Sequence, residues 1–460
     1  MRKKNSLSKF ITIILLLVIV GGGGFVFLSP QFEQEKPVIS MDNKEYWNLK
    51  DKLHITIKDV SGIKYYKVTF KDNAKEIVLD EKISPTPQGE VLLTLDAPKL
   101  DMFYKGENVT IIIEATDGSK WNFLNGNAEK TSYELKIDTK SPIANVMANS
   151  RYIKRSGSAI AIVKVEDPNL KEAYIDFCGK AIYSLTPFYK ENYYAALIPW
   201  DINIGFDDFT QVTLVASDKA GNISKTKIPF YIQEFKEKHD DITISDRFID
   251  GVSKNVLAQM GESTPQNPKD IFIKQNNELR AKNVETIKQI ALRYVGKEFV
   301  NDFNVKTFKR LPGSRTAAGY GEKRSYFYNG EKIDEAWHLG MDWASIKKAS
   351  IKTTNSGNII FKEYLGIYGN TLMIDHGLGL VSLYAHTTNQ FVTDGQNVGA
   401  NTKIATTGIS GAVLGDHLHF GVVVQGIEVN PIEWMDRNWI KTRILDIISD
   451  AKKIIDRDNK

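Results

Sequence analysis

At 460 residues, with 60 Lys and Arg against 56 Asp and Glu, the chain carries a formal net charge of only +4. No dense basic stripe stands out, which argues against a nucleic-acid partner, and a lone cysteine rules out an internal disulfide. A chain of this length can bury several cores without such staples; Cys178, after Ile175-Asp-Phe177 in a strand-like run, reads as a small buried hydrophobe.

The N-terminus opens with Arg2, Lys3, Lys4 and Lys9 and runs into an apolar stretch, Phe10 through Leu28, broken only by Thr12 and the Gly21–Gly24 run. Nineteen residues at a helical rise span ~28 Å, close to the hydrocarbon thickness of a bilayer. The cations before it set residues 1–9 on the cytoplasmic side and everything after it outside. We therefore expect a single-pass anchor in the lipid bilayer at residues 10–28, in the cytoplasmic membrane. A cleaved signal peptide is the competing reading; the run is long for one, and no small-x-small site stands out after Leu28.

Residues 37–235 read as strands. Leu53–Lys58, Tyr65–Phe70, Val91–Leu95, Val109–Ala115 and Tyr133–Ile137 are rich in β-branched and aromatic residues, and a second set follows from Ala159 to Ile232. Val109-Thr-Ile-Ile-Ile-Glu-Ala-Thr-Asp117 parallels Val212-Thr-Leu-Val-Ala-Ser-Asp218, an offset of about one hundred residues, the size of a β-sandwich. We expect two immunoglobulin-like sandwiches, 37–138 and 139–235, serving as spacers, with no cluster of ligating or catalytic side chains. Between 236 and 299 the pattern turns helical: Pro268 suits a helix start, and Leu279, Val284, Ile287, Ile290 and Leu292 recur at helical spacing. We read a core-packed connector; a lid or inhibitory arm over a cleft is the alternative.

From 300 to 436 short strands alternate with Gly-rich turns, which suits an antiparallel β-fold. Five of the seven histidines lie here, four of them in three motifs: His338-Leu-Gly-Met-Asp342, Tyr384-Ala-His386 and His417-Leu-His419-Phe420. A zinc site that does chemistry takes three protein ligands and keeps one position open, so two histidines and a carboxylate satisfy it and two histidines remain for proton transfer. His338 and Asp342 are an even offset apart, as are His417 and His419, so each pair shares a face if the segment is a strand. Gly340 allows the backbone to bend or approach an ion. His54 and His239 read as structural or solvated, and His376, before Gly377, as a turn residue. Trp337, Trp343, Tyr384 and Trp434 read as wall and core. The absence of His-Glu-x-x-His excludes the helical thermolysin-type site. The tail, 437–460, places Ile440, Ile444, Ile447, Ile448, Ala451, Ile454 and Ile455 on one helical face that should pack back on this domain.

The histidine motifs, with Tyr368-Gly369-Asn370, Ile374-Asp375-His376-Gly377 and Val429-Asn430-Pro431-Ile432-Glu433-Trp434, resemble the lysostaphin-type zinc endopeptidases, which cut the peptides of bacterial peptidoglycan. The resemblance implies Zn2+ on His338, Asp342 and His419, with His386 and His417 as the catalytic pair; which of the two is the base stays open. It implies peptidoglycan stem peptides and cross-links as substrate and, in a two-membrane bacterium, the bond between D-alanine and a diamino acid, cut on the periplasmic side. No protein partner is implied. Asp416 and Gly421 depart from the usual pattern at what we expect to be the cleft. The expected fold class is therefore mainly β: a lysostaphin-type catalytic domain behind two immunoglobulin-like sandwiches and a helical connector, with an N-terminal transmembrane helix. A non-catalytic wall-binding or division scaffold, or an exported zinc protease for other peptides, are the alternatives.

Overall fold

The computed structural model describes residues 5–42, 45–101 and 104–458; residues 1–4, with three of the four cations of the expected cytoplasmic tail, lie outside the described residues. The apolar run forms one helix, Asn5–Leu28, which continues through the four glycines. Its stretch Ser8–Leu28 is long and apolar enough to cross a membrane, and none of it is buried in the protein. The chain divides into two compact units, residues 1–141 with 217–223, and residues 142–216 with 224–460.

In the first unit the runs at 53–58 and 65–70 are parts of one long strand, Leu53–Lys71, paired with Glu76–Leu95 on one side and Asn108–Asp117 on the other. Hydrogen bonding runs continuously through a single six-stranded sheet. Strand Asn108–Asp117 alternates between buried and less buried positions, the period-2 pattern of a sheet with one covered face, and that face packs on Trp47, Phe70 and Ile55. One expectation is corrected here. Carboxylates of Glu33, Asp59 and Asp117 come within 4.8 Å of one another. Asp117 is fixed by the backbone N–H groups of Ser119 and Asn127, at 3.0 and 2.8 Å. Burial, with Asp117 and Glu33 adding to it, pushes Asp59 up to about 6. The three are scattered along the sequence, so no motif announced them.

In the second unit the second set of strands does form two facing four-stranded sheets, closed over Phe177, Trp200 and Ile175. The segment expected to be wholly helical begins instead as a strand, Lys238–Thr243, because it pairs in parallel with Glu322–Tyr328, which in turn pairs with Glu331–His338. Its helices follow at Asp246–Phe248, Lys254–Gln259, Pro268–Ile273 and Arg280–Leu292, the first two and the last two joined through π-helical turns and the middle two by a loop. Asn267 caps the helix start and Pro268 occupies the first turn, where its missing N–H is harmless. These helices share one core with the back of the catalytic sheet through Ile271, Leu279, Ile287 and Ile290.

That catalytic sheet has eight strands, all antiparallel; Met341–Ala344, Leu418–Val424, Leu380–Ala385 and Asn370–Asp375 lie side by side in that order. Leu418–Val424 and Leu380–Ala385 are buried throughout, which makes the middle of the sheet the most rigid platform available to a site. Trp343 stacks on Phe420 at 5.0 Å. Trp343, Tyr384 and Trp434 are core residues, 1%, 3% and 0% exposed. The tail packs Ile440, Ile444, Ile448, Ala451 and Ile455 into the core that this sheet shares with the sandwich, mainly against the sandwich strands Ile143–Asn149 and Ser158–Glu166 instead of on the domain 300–436 as expected. Removing the buried methyl groups of Ile444 by Ile444→Ala should cost about 2–5 kcal/mol, whereas exposed Ser449→Ala should stay within about 0.5 kcal/mol; denaturant unfolding of both variants checks the pair.

Candidate metal and catalytic site

His338 ends the strand Glu331–His338, and Asp342 lies in the next strand, Met341–Ala344. The two therefore belong to different sheets, and the expected single strand is corrected: the chain bends at Leu339-Gly340 between them. Gly340 is needed at that bend. A Cβ there would sit 2.5 Å from His419 Nε2 and 2.8 Å from the Phe420 carbonyl oxygen. Strand register does the rest, pairing Asp342 with His419 and His419 with Ala385, so that His386 follows directly beside them. His386 has φ +58°, a region non-glycine residues rarely occupy, held by its N–H bond to the Tyr368 carbonyl at 2.8 Å.

Five side chains from three motifs thus meet. His338 Nε2 lies 3.1 Å from Asp342 Oδ2 and 3.2 Å from His419 Nδ1, and His419 Nδ1 lies 2.9 Å from Asp342 Oδ1. His417 Nε2 is 3.6 Å from Asp342 Oδ1. The His386 and His417 rings are 4.9 Å apart. Second partners fix the tautomers: the Nδ1–H groups of His338, His386 and His417 donate to the carbonyls of Gly319, Ser410 and Gly415 at 2.7, 2.9 and 2.8 Å. Each of those rings then presents a bare Nε2 lone pair.

His338, Asp342 and His419 could hold a metal ion. Their ligand atoms all fall within 4.8 Å of one another, and His338 Nε2 and His419 Nδ1 are both turned to the Asp342 carboxylate. Nδ1–H to a carbonyl is the usual second partner of a ligating imidazole. Burial would raise Asp342, but His338, His417 and His419 outweigh it and hold its carboxyl well below the usual range. Burial, reinforced by His417 and His419, keeps His386 well below an ordinary histidine. Burial also lowers His417, yet Asp342 more than compensates and its net shift is upward. Two neighbouring imidazoles are therefore pushed in opposite directions.

The site opens on a cavity of about 290 Å³. The connector forms one wall, with Phe248, Phe272, Asn276 and Arg280, and Arg324 and Tyr368 line it too. The connector therefore packs into the core, as expected, and also lines the cleft, the place that the alternative reading gave it. Tyr368 donates its hydroxyl to Glu428 at 3.0 Å and packs edge-on against His419 at 5.6 Å. Asp416 and Gly421 do not line the cavity, correcting their expected place. Asp416 instead accepts from Thr407 Oγ1 and the Lys348 N–H, and Gly421 packs on Leu383. His376 is tied to the Ser356 carbonyl and Ser382 Oγ at 2.7 and 2.8 Å, outside the cavity, and burial takes it down to about 4. His54 and His239 are exposed.

Residues 336–431 match peptidase family M23. The DD-carboxypeptidase/endopeptidase Mpg of Neisseria meningitidis serogroup B is 35% identical over 107 residues, 23% of this chain and 25% of that protein. The murein hydrolase activator NlpD of Salmonella dublin is 34% identical over 102 residues, 22% of this chain and 27% of that protein. The peptidoglycan DD-endopeptidase ShyA of Vibrio cholerae serotype O1 is 22% identical over 366 residues, 76% of this chain and 83% of that protein. The chain thus spans about a quarter of the length of Mpg.

Two predictions follow from this geometry. Gly340→Ala should displace His419 and weaken metal binding at least tenfold, read by competition with a chromophoric chelator, because the contact it creates is with a ring atom and a backbone oxygen. Burial pushes Glu428 up to about 8 and Glu433 up to about 7. Both bind a proton more tightly folded than unfolded, so the stability they contribute is complete below pH ~4.5 and is lost as pH rises through ~7–8. The melting temperature of the detergent-solubilised chain should fall over that window, and Glu428→Gln should flatten the fall; an unchanged slope would count against it.

Proposed function

We propose that this chain, which carries a lysostaphin-type M23 peptidase domain, is a membrane-tethered zinc metalloendopeptidase that hydrolyses the peptide cross-links of peptidoglycan. The observation that carries the reading is the convergence of His338, Asp342 and His419 on one point with His386 and His417 beside it. In this reading His338 Nε2, one Asp342 oxygen and His419 Nδ1 hold Zn2+. What a bound zinc supplies is Lewis acidity: a water brought towards a pKa of ~7 and a polarised carbonyl.

The protein's own residues do the rest. Gly319 and its counterparts at Ser410 and Gly415 orient the rings. His386 and His417 present Nε2 to the cavity, where one takes a proton from the attacking water and the pair can return it to the leaving amine. The connector wall narrows access of bulk water, which strengthens every charge interaction inside. The helix Asn5–Leu28 tethers the enzyme, with its N-terminus in the cytoplasm and its catalytic unit on the periplasmic face, which confines cutting to wall near the membrane. The relatives' names support the substrate class: Mpg and ShyA are described as acting on peptidoglycan or as DD-peptidases.

The likeness to NlpD, a murein hydrolase activator, favours a second reading, in which this chain stimulates a separate wall hydrolase. A complete set of three ligand-type and two proton-transfer side chains argues for the enzyme, because an activator has no need of them. His338→Ala and Asp342→Ala should abolish zinc content by elemental analysis, while His417→Ala should keep zinc and lose at least a hundredfold in release of muropeptides from purified sacculi. Equal zinc loss in all three variants would refute the division of roles. Release of nothing by the zinc-loaded wild type, together with stimulation of a separate wall hydrolase, would establish the activator reading.

A further inference from the structure

The cavity that holds the site is mostly apolar, and its charges are unequal. Among the described residues that line it, the fixed cations are Arg280 and Arg324, and the carboxylate is Asp342, which is committed to the three histidines. A divalent ion on Asp342 would leave the cleft with a net positive charge, which an anionic substrate would relieve.

The two arginines are held differently. Arg280 donates Nε to the Asn276 carbonyl at 3.0 Å and Nη2 to Asn276 Oδ1 at 2.6 Å, and its charge lowers the otherwise raised Glu428. Its guanidinium is occupied. Arg324 rises from the strand Glu322–Tyr328, opposite Ala336 and two residues from the pair Glu322–His338. Its Nη2 lies 3.3 Å from Glu322 Oε2 and 3.8 Å from Asp342 Oδ2, both monodentate contacts. Its Nε has no hydrogen-bond partner. An arginine whose exposed fork end makes only single, long contacts has unspent capacity for a planar anion.

Resting on the peptidase reading above, we propose that Arg324 determines specificity by pairing with a carboxylate on the carbon that bears the leaving nitrogen. That carboxylate lies three bonds, roughly 4 Å, from the scissile carbonyl carbon, a distance that suits a guanidinium placed beside a metal ligand. The substrate class is then a peptide whose leaving amine belongs to an amino-acid centre with a free carboxylate: a cross-link onto the second centre of a diamino acid, or a C-terminal dipeptide. Glycine bridges joined mid-chain carry no carboxylate there and fall outside the class.

The experiment compares two cross-linked stem-peptide dimers, identical except that the carboxylate beside the scissile amide is free in one and amidated in the other. The full-length zinc-loaded chain should prefer the free acid by roughly tenfold to a hundredfold in kcat/KM, the range of a charge-assisted hydrogen bond, mostly through KM. In Arg324→Gln the preference should fall below about twofold, and the free-acid product should lose its advantage over the amidated product as a competitive inhibitor. Lys323→Gln, which removes a neighbouring cation outside the cavity, should retain the wild-type preference. Equal cleavage of both dimers by the wild type would overturn the assignment, as would an Arg324→Gln variant that loses zinc and slows on both dimers alike while keeping the preference, since that would make Arg324 a prop for Asp342. Cleavage of neither dimer by the zinc-loaded wild type would defeat the peptidase reading itself, and this inference with it.

Discussion

The structure of the site depends on one arrangement: the donor atoms of His338, Asp342 and His419 are held towards the same point. His338 Nε2, an Asp342 oxygen and His419 Nδ1 sit about 3 Å apart, and the Gly319 carbonyl on the far side of His338 accepts from its Nδ1 and leaves Nε2 facing the carboxylate. A buried carboxylate is costly unless it is paired, and the three histidines pair this one. Asp342 is paired in register with His419 on two interior strands of an eight-stranded sheet, so the sheet keeps the groups from relaxing apart. The stacked Trp343 and Phe420 on the opposite face supply the packing that holds the two strands in place.

That platform is assembled from distant parts of the chain. The bend at Gly340 hands the polypeptide from the three-stranded sheet containing His338 to the eight-stranded sheet containing Asp342. The connector, nominally a spacer between sandwich and catalytic domain, closes the cleft from the other side through Phe248, Phe272 and Arg280. The tail packs on the sandwich strands Ile143–Asn149 and Ser158–Glu166. The histidine cluster and its cavity thus draw on the connector and on Arg324 and Tyr326 as well as on the segment 336–431.

Much of this was legible in the residues. The histidine motifs have distinctive spacing, the apolar N-terminal run is long, and the tail isoleucines repeat at helical intervals, because each of these signals is local. What escaped was non-local. The strand Lys238–Thr243 reads as a charged linker, since its identity comes from pairing with a strand some eighty residues on. The expectation that His338 and Asp342 share a strand failed because an even offset says nothing about a bend between the two. Asp416 and Gly421 were expected at the cleft because they flank its motifs, yet hydrogen bonds to Thr407 and Lys348 and packing on Leu383 turn them away. Arg324 and the Glu33–Asp59–Asp117 group carry no sequence signature, because only folding brings their partners near.

The account is tested most directly by anomalous diffraction at the zinc edge from crystals of the chain grown with Zn2+. One peak bonded to His338 Nε2, Asp342 and His419 Nδ1, with the Nε2 atoms of His386 and His417 nearby but outside bonding distance, is the predicted result. No peak between those three groups, or an ion bonded to His386 or His417 in their place, would contradict it.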